Sequence, residues 1–349
     1  MRILFSSFIL FFFISVHAQK EFKVRVIAFY NVENLFDTKN DTLIFDDGRT
    51  PEGRYRWTQA RYQKKISSIA KVLSEIGRDV VGNSPDIIGL CEVENIDVLR
   101  DLVNHSLLQK QDYGIVHFDS PDDRGIDVAL LYKKSAFIPS SFKSHRLLLF
   151  DVDGNRDYTR DQLVVSGFLD GEQLYFLVNH WPSRSGGETK SRPNRIKAAQ
   201  LGKRIIDSVQ KMDVDAKIIS MGDFNDDPRD ESIKNVLKSK GKQKQLDSLS
   251  LFNPMEKLFR KGAGTLAYRD RWNLFDQFLL TPNLIDKEKT TYSYWKAGIF
   301  NPKYLQNDSG KYKGYPFRTY VGTTYQGGYA DHFPVYLYLI KEASSGAER

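Results

Sequence analysis

Six apolar runs in this chain stop at, or start from, a carboxylate, an amide or an imidazole. "VIAFYNVEN" delivers Asn31, "IIGLCEVEN" delivers Glu92 and Glu94, "YFLVNHW" delivers Asn179 and His180, and "IISMGDFN" delivers Asp223 and Asn225. "NLFDQFLL" carries Asp276 inside its run, and "YADHFPVYLYL" carries Asp331 and His332 just ahead of the last one. Short apolar runs bounded by turn residues read as buried strands. Each polar group is therefore placed at or near a core. An unpartnered buried carboxylate is expensive, so these groups are expected to pair with one another or with a metal ion.

The rest of the chain alternates strand and helix patterns. "RYQKKISSIAKVLSEIG" (61–77) repeats Ile66, Ile69, Ala70, Leu73 and Ile76 at helical spacing and closes on Gly77. "RIKAAQLGKRIIDSVQKM" (195–212) is a second amphipathic helix, and 95–109 a shorter one. Strands are expected at 23–32, 86–93, 125–134, 273–281 and 333–340. A hairpin across 161–181 turns at Asp170-Gly171. Hairpins mixed with helices point to α/β layers around a mixed sheet. No linker divides the chain, so one domain is expected over 19–341, with a flexible tail at 342–349. Residues 37–60 and the aromatic-rich 286–329 read as long loops. Loops of that length are functional or disordered, and so many aromatic side chains argue against disorder.

Residues 1–18, "MRILFSSFILFFFISVHA", have a positive start, an apolar stretch over Ile3–Val16 and a small-residue end. This reads as a secretory signal peptide, too short for a comfortable membrane span, so a secreted or periplasmic location is expected. Cys91 is the only cysteine. A mature chain without an internal disulfide stands on its core, and Cys91 itself is expected to be an inert buried thiol. The formal charge of +7, or +6 once Arg2 leaves with the signal, suits a phosphate-bearing partner. No run of like charge marks a nucleic-acid arm, and neither a membrane span nor a protein partner is evident.

The clustered side chains offer oxygen, which suits hard cations. Mg2+ is expected, with Mn2+ or Ca2+ as alternatives. Two histidines beside carboxylates suit acid–base work. "NVENLF", "LCEVEN", "VNHWPSR", "GDFND", "FDQFLL" and "ADHFPV", in that order, resemble the endonuclease/exonuclease/phosphatase superfamily of deoxyribonuclease I-like proteins, and within it secreted bacterial members. The resemblance spans about 23–340. It implies a four-layer α/β/β/α sandwich of two packed mixed sheets with its site at one end. It also implies roles: Glu92 on the metal with Asn31 and Asp331 close by, and Asp276 supporting His332 as general base. His180 would donate to the phosphate, and Asp223 and Asn225 would orient the nucleophile.

Arg124 and Arg184 are expected to contact phosphate, since arginine binds it bidentately, and Asp127 to orient His180. Glu94 is expected to be exposed or to support the site from one step behind it, and Asp226–Pro228 to form a plain turn. The function expected is an exported metal-dependent nuclease for DNA or RNA. The alternative is a phosphodiesterase or phosphatase for a lipid, an inositol phosphate or a nucleotide. A non-catalytic binding module of the same fold is the rival class, disfavoured because the full polar set is present.

Overall fold

The computed structural model describes residues 21–343, so the expected signal segment and most of the tail lie outside the described residues. Strands β1 (Phe22–Leu35), β2 (Ile87–Val93), β3 (Tyr113–His117) and β4 (Asp127–Lys133) lead the chain, followed by β5 (Phe137–His145), β6 (Gln162–Leu169) and β7 (Glu172–His180). Then come β8 (Ile218–Asp223), the short β9 (Ser239–Lys240) and β10 (Leu251–Phe252), β11 (Asp276–Leu280), β12 (Ser293–Ile299) and β13 (Val335–Glu342). They form a six-stranded sheet, β12-β13-β1-β2-β4-β3, and a seven-stranded sheet, β9-β10-β11-β8-β7-β6-β5. Both are mixed: β1 runs parallel to β2 and antiparallel to β13, and β8 runs parallel to β7 and antiparallel to β11.

Side-chain alternation makes the layers. Ile27 and Phe29 of β1 face Phe176, Val178, Met221 and Phe278 of the other sheet, forming the core between the sheets. Their neighbours Ala28 and Tyr30 face outward onto Ile66, Ile69 and Leu73 of helix α1 (Gln59–Glu75) and onto Leu99 of α2 (Ile96–Val103). On the far side Leu177, Ile218 and Leu279 pack on Ala198, Ile205 and Ile206 of α3 (Glu188–Met212). The order is helix, sheet, sheet, helix, as expected. Central strands buried on both faces carry no polar alternation, which is why they read as continuous apolar runs.

Helix ends follow local chemistry. Asn95 caps α2, accepting from the Asp97 and Val98 amides at 2.9 and 3.0 Å, worth about 1 kcal/mol. α1 ends at Gly77, whose φ of +77° few other residues tolerate. The segment 286–329 differs from its expected loop, because β12 adds an edge to the first sheet by pairing with β13. β12 exposes Trp295 and Lys296 on one face, so it carries no apolar run to mark it. β5 was hidden likewise, with most of its residues exposed at the other sheet's edge. Among the described residues no helix is long and apolar enough to cross a membrane.

The Asp170-Gly171 turn joins β6 to β7 as expected, with φ of +49° and +85°. Its carboxylate does more than turn the chain. It accepts from Lys23 and Arg25 of the other sheet and from the Tyr292 hydroxyl, at 2.5–2.7 Å, and so clasps the two sheets at the end remote from the polar row. Burial alone would raise its pKa, but these donors override burial and hold it well below the ordinary carboxylate value. A depressed folded-state pKa stabilises above the unfolded value and is lost as pH falls through the folded one. Asp170→Asn is expected to cost about 2 kcal/mol near neutral pH, with the gap narrowing below about pH 4. Urea midpoints of both proteins at neutral and acidic pH check this.

Candidate active site

Strand register assembles the polar row. β8 aligns Asp223 with His180 of β7 on one side and with Asp276 of β11 on the other. Residues paired across a sheet share a face, so the three side chains stand abreast. Asn31 continues the inward face of Ile27 and Phe29, and its Nδ2 donates to Asp223 Oδ2 at 3.0 Å across the gap between the sheets.

Glu92 reaches the same place by a bulge. Cys91 faces the inter-sheet core and Leu90 the helix layer, so strict alternation would aim Glu92 at the helices. Instead the pairing skips from Cys91 to Val93 and Glu92 takes a φ of +62°. A bulge of this kind re-aims a side chain. The Glu92 carboxylate then accepts from the Asn34 amide at 2.9 Å and lies 3.8 Å from His180 Nε2.

Asp223 is the hub. Its Oδ2 lies 3.8 Å from His180 Nε2 and 3.9 Å from His332 Nε2, while its Oδ1 accepts from the Asn225 amide at 2.9 Å. The imidazole distances exceed hydrogen-bond range, so neither ring is bonded directly to Asp223. His332 Nδ1 donates to Asp276 Oδ2 at 2.7 Å, which directs its Nε2 toward Asp223. Asn225, with a φ of +50°, donates to the Trp181 carbonyl at 3.0 Å.

The two histidines are driven apart electrostatically. Burial, then the charges of Arg160, Arg124 and His332, push His180 well below the ordinary imidazole value, so it is neutral. Burial also pushes His332 down, but the carboxylates of Asp276 and Asp223 outweigh it and hold His332 well above that value. Burial lifts Asp223 to about 6, against the pull of His332.

Asp331, expected beside the metal, lies next to the His332 dyad and ion-pairs with Arg318. Arg318 Nε also stands 3.8 Å from Glu33 Oε1, and Glu33 accepts from the Thr319 amide at 2.6 Å. Beneath them the fully buried Lys65 donates to Thr319 Oγ1 and the Tyr329 carbonyl, fastening the aromatic segment to α1. Arg318, Glu33 and Lys65 were not singled out from sequence: Arg318 follows no apolar run, and Lys65 sits among the polar residues of an amphipathic helix. Arg160 was missed too. It is buried, donates to Asp122 at 2.9 Å and the Trp181 carbonyl at 2.7 Å, and sets the cationic environment of His180. Arg124 is half-exposed, 3.6 Å from Asp122.

Three readings of individual residues are corrected. Asp127 does not orient His180. It shares the helix-layer side of its sheet with Ala129, where it meets His117 Nε2 at 3.0 Å and Ser120. Asp226 and Asp227 are buried anchors rather than a plain turn. Asp226 binds the buried Arg195 at 2.6 Å, and Asp227 accepts from the Leu274 amide at 2.7 Å, tying the loop after β8 to the segment just ahead of Asp276. Glu94 is likewise buried, accepts from the Asp37 amide at 2.6 Å, and is pushed by burial to about 8. Cys91 is buried, and burial raises its thiol well above the ordinary value, as an inert thiol requires.

Arg184 has other partners than a phosphate. Its guanidinium donates to the Asn225 carbonyl at 2.8 Å, to Glu188, to Asp226 and to Asp230 at 2.6 Å, and lies 4.5 Å over the Phe275 ring. These contacts brace the Asn225 loop. Arg184→Met is expected to lower stability by about 2–3 kcal/mol, as for hydrogen bonds to charged groups. Thermal denaturation checks this: an unchanged midpoint would return Arg184 to a phosphate-contact role.

The chain belongs to the Endonuclease/Exonuclease/phosphatase family, whose model matches residues 26–341, and with it to the phosphoric ester hydrolases. No protein of curated function matches the sequence. Solved structures share the fold at low identity. An endonuclease/exonuclease/phosphatase family protein of Bacteroides thetaiotaomicron superposes with a TM-score of 0.55 at 17% identity, covering 95% of this chain and 100% of its own. A mannosyl-6-phosphatase of the same organism gives 0.54 at 16%, covering 90% and 99%. TDP2 of D. rerio, solved with a single-strand DNA product, gives 0.53 at 15%, covering 90% and 98%.

Proposed function

We propose that this phosphoric ester hydrolase is a divalent-metal-dependent nuclease that cleaves phosphodiester bonds of DNA or RNA and is exported from the cell that makes it. One observation carries the reading: His180, Asp223 and Asp276 stand abreast and face Glu92 and Asn31, with His332 held by Asp276 beside them. The likeness to a TDP2 solved with a DNA product and the net charge of +7 support nucleic acid as substrate. The apolar stretch Ile3–Val16 supports export, and a native N-terminus near Gln19 is the expected consequence.

The residues suit a hard cation. Glu92, Asn31 and Asp331, taken as the metal ligands, are oxygen donors, a set for Mg2+, Mn2+ or Ca2+ rather than zinc. Asp223, Asp276 and His332 also bring ligand atoms within 4.8 Å of one another. Asp276 and His332 direct those atoms at each other, however, so this trio is read as a proton relay. A bound cation would neutralise charge on the phosphoryl oxygen and the leaving oxygen.

The chain's own groups do the rest. Asp276 holds the Nδ1–H of His332; the neighbouring carboxylates keep Nε2 protonated at rest, and once that proton has been released Nε2 takes one from the attacking water. Neutral His180 donates to a non-bridging oxygen from Nε2, the nitrogen that faces Glu92 and Asp223. Asp223 and Asn225 orient the nucleophile, held in place by Asn31 and the Trp181 carbonyl. The catalysis is positioning and electrostatics. A phosphatase or phosphodiesterase for another substrate is the second reading, favoured by the mannosyl-6-phosphatase likeness.

The protein from Gln19 onward is expected to nick plasmid or degrade RNA with Mg2+. His332→Ala should slow this about 10²- to 10⁴-fold, and Glu92→Gln should raise the metal concentration needed. Activity indifferent to chelator and to both substitutions would overturn the mechanism. Turnover confined to a sugar or lipid phosphate would overturn the nuclease reading alone.

A further inference from the structure

A cavity of about 450 Å³ opens beside the polar row, between a hairpin ahead of β11 and the aromatic segment ahead of β13. Arg318 and Asp331 line it on the side of the His332 dyad, and Tyr268, Arg269, Lys311 and Tyr312 line it beyond. The volume falls in the range that encloses a small organic ligand.

The walls are built rather than loose. The hairpin pairs Leu266–Tyr268 with Arg271–Asn273. Its tip, Arg269 and Asp270, takes φ of +50° and +63° with no glycine, a conformation uncommon for side-chain-bearing residues. One hydroxyl holds the tip there: Tyr315 Oη donates to Asp270 Oδ1 at 2.5 Å and accepts from the Asp270 amide at 2.9 Å. Trp272 of the same hairpin stacks on Phe333, centroids 6.1 Å apart at 16°, and meets the edge of Tyr315 at 5.6 Å. Phe333 directly follows His332, so the cavity wall and the dyad are packed on one another.

Two aromatic–cation pairs recur in the lining, beside the carboxylates of Asp270 and Asp331. Tyr268 and Tyr312 bring exposed rings from two separate elements, each with a cation beside it: Arg269 at 5.2 Å and Lys311 at 5.6 Å from the ring centres. Asn307 and Gln326 add amide oxygens that can accept, while Asn307 Nδ2 is spent on the Tyr315 and Pro316 carbonyls at 3.2 and 3.0 Å. Aromatic planes with nearby cations and a few amides suit a flat heteroaromatic ring carried on a phosphate.

We propose that this cavity is a nucleoside subsite, which takes the single unpaired nucleoside attached to the scissile phosphate. The inference rests on the phosphoesterase reading above and deepens it. With the phosphate at Glu92 and His180, Arg318 stands at the junction and the ester substituent enters the cavity. A base in a cavity of this size is out of its duplex stack, so single strands and short nucleotides are the preferred substrates, as for enzymes that extrude a base.

The test compares two esters with the same p-nitrophenolate leaving group: thymidine 5′-(p-nitrophenyl phosphate) and methyl p-nitrophenyl phosphate. The wild type should favour the thymidine ester in kcat/KM, and Tyr312→Ala and Tyr268→Ala should each lower that preference roughly tenfold, the loss falling on KM. Tyr312→Phe should retain it. Hydrolysis of both esters with no preference, or a preference untouched by either alanine, overturns the subsite and leaves the phosphoesterase reading standing. If the wild type hydrolyses neither ester, that reading falls, and calorimetry then decides the subsite. AMP should bind at least tenfold more tightly than inorganic phosphate, and lose that margin in Tyr312→Ala. Binding of mannose 6-phosphate as tight as AMP overturns the nucleoside assignment.

Discussion

The Asn31–Asp223 hydrogen bond joins the two sheets with polar atoms at the point where the apolar core between them ends. Behind it Phe29, Val178, Met221 and Phe278 exclude water. Ahead of it lie His180, His332 and Glu92. Asp223 is nearly fully buried, and a carboxylate in that position is tolerated only with donors. Asn31 and the Asn225 amide supply them, and His332 adds charge. Each donor comes from a different part of the chain, so this one buried carboxylate requires β1, the loop after β8 and the segment before β13 to meet.

That demand explains the local strain around it. Glu33, Asn34, Glu92 and Asn225 all have positive φ without being glycine. Such residues cost on the order of 1–3 kcal/mol each and persist where the surroundings over-determine them. Here the surroundings are hydrogen bonds: Asn31 Oδ1 to the Glu33 amide, Glu92 to the Asn34 amide, Asp223 to the Asn225 amide. The site residues hold the backbone that holds them.

Buried charges away from the row play a supporting part. Arg195 with Asp226 fixes the loop that follows β8, and Lys65 ties the aromatic segment to α1. Arg184, braced by four acceptors, works with Arg195. A buried ion pair adds little net stability but is costly to break, which suits loops that must keep one geometry. The cavity beside the dyad inherits this rigidity through Trp272 and Phe333.

The sequence by itself determined the α/β character and the identity of the polar row. Strands buried on both faces must be apolar, and a carboxylate, amide or imidazole at the end of such a run stands out against it. That is why Asn31, Glu92, His180, Asp223, Asp276 and His332 were legible, and why the edge strands β5 and β12 were not. Only the tertiary structure decided the partners. Whether Asp127 meets His180 or His117 depends on which face of β4 it takes, and that Arg184 meets Asp226 and Asp230 depends on how the loop after β8 packs against the segment before α3. These are long-range packing outcomes that local pattern does not encode. The same holds for Lys65, Arg160 and Arg318, ordinary charged residues in sequence whose roles come from the cost of burying them.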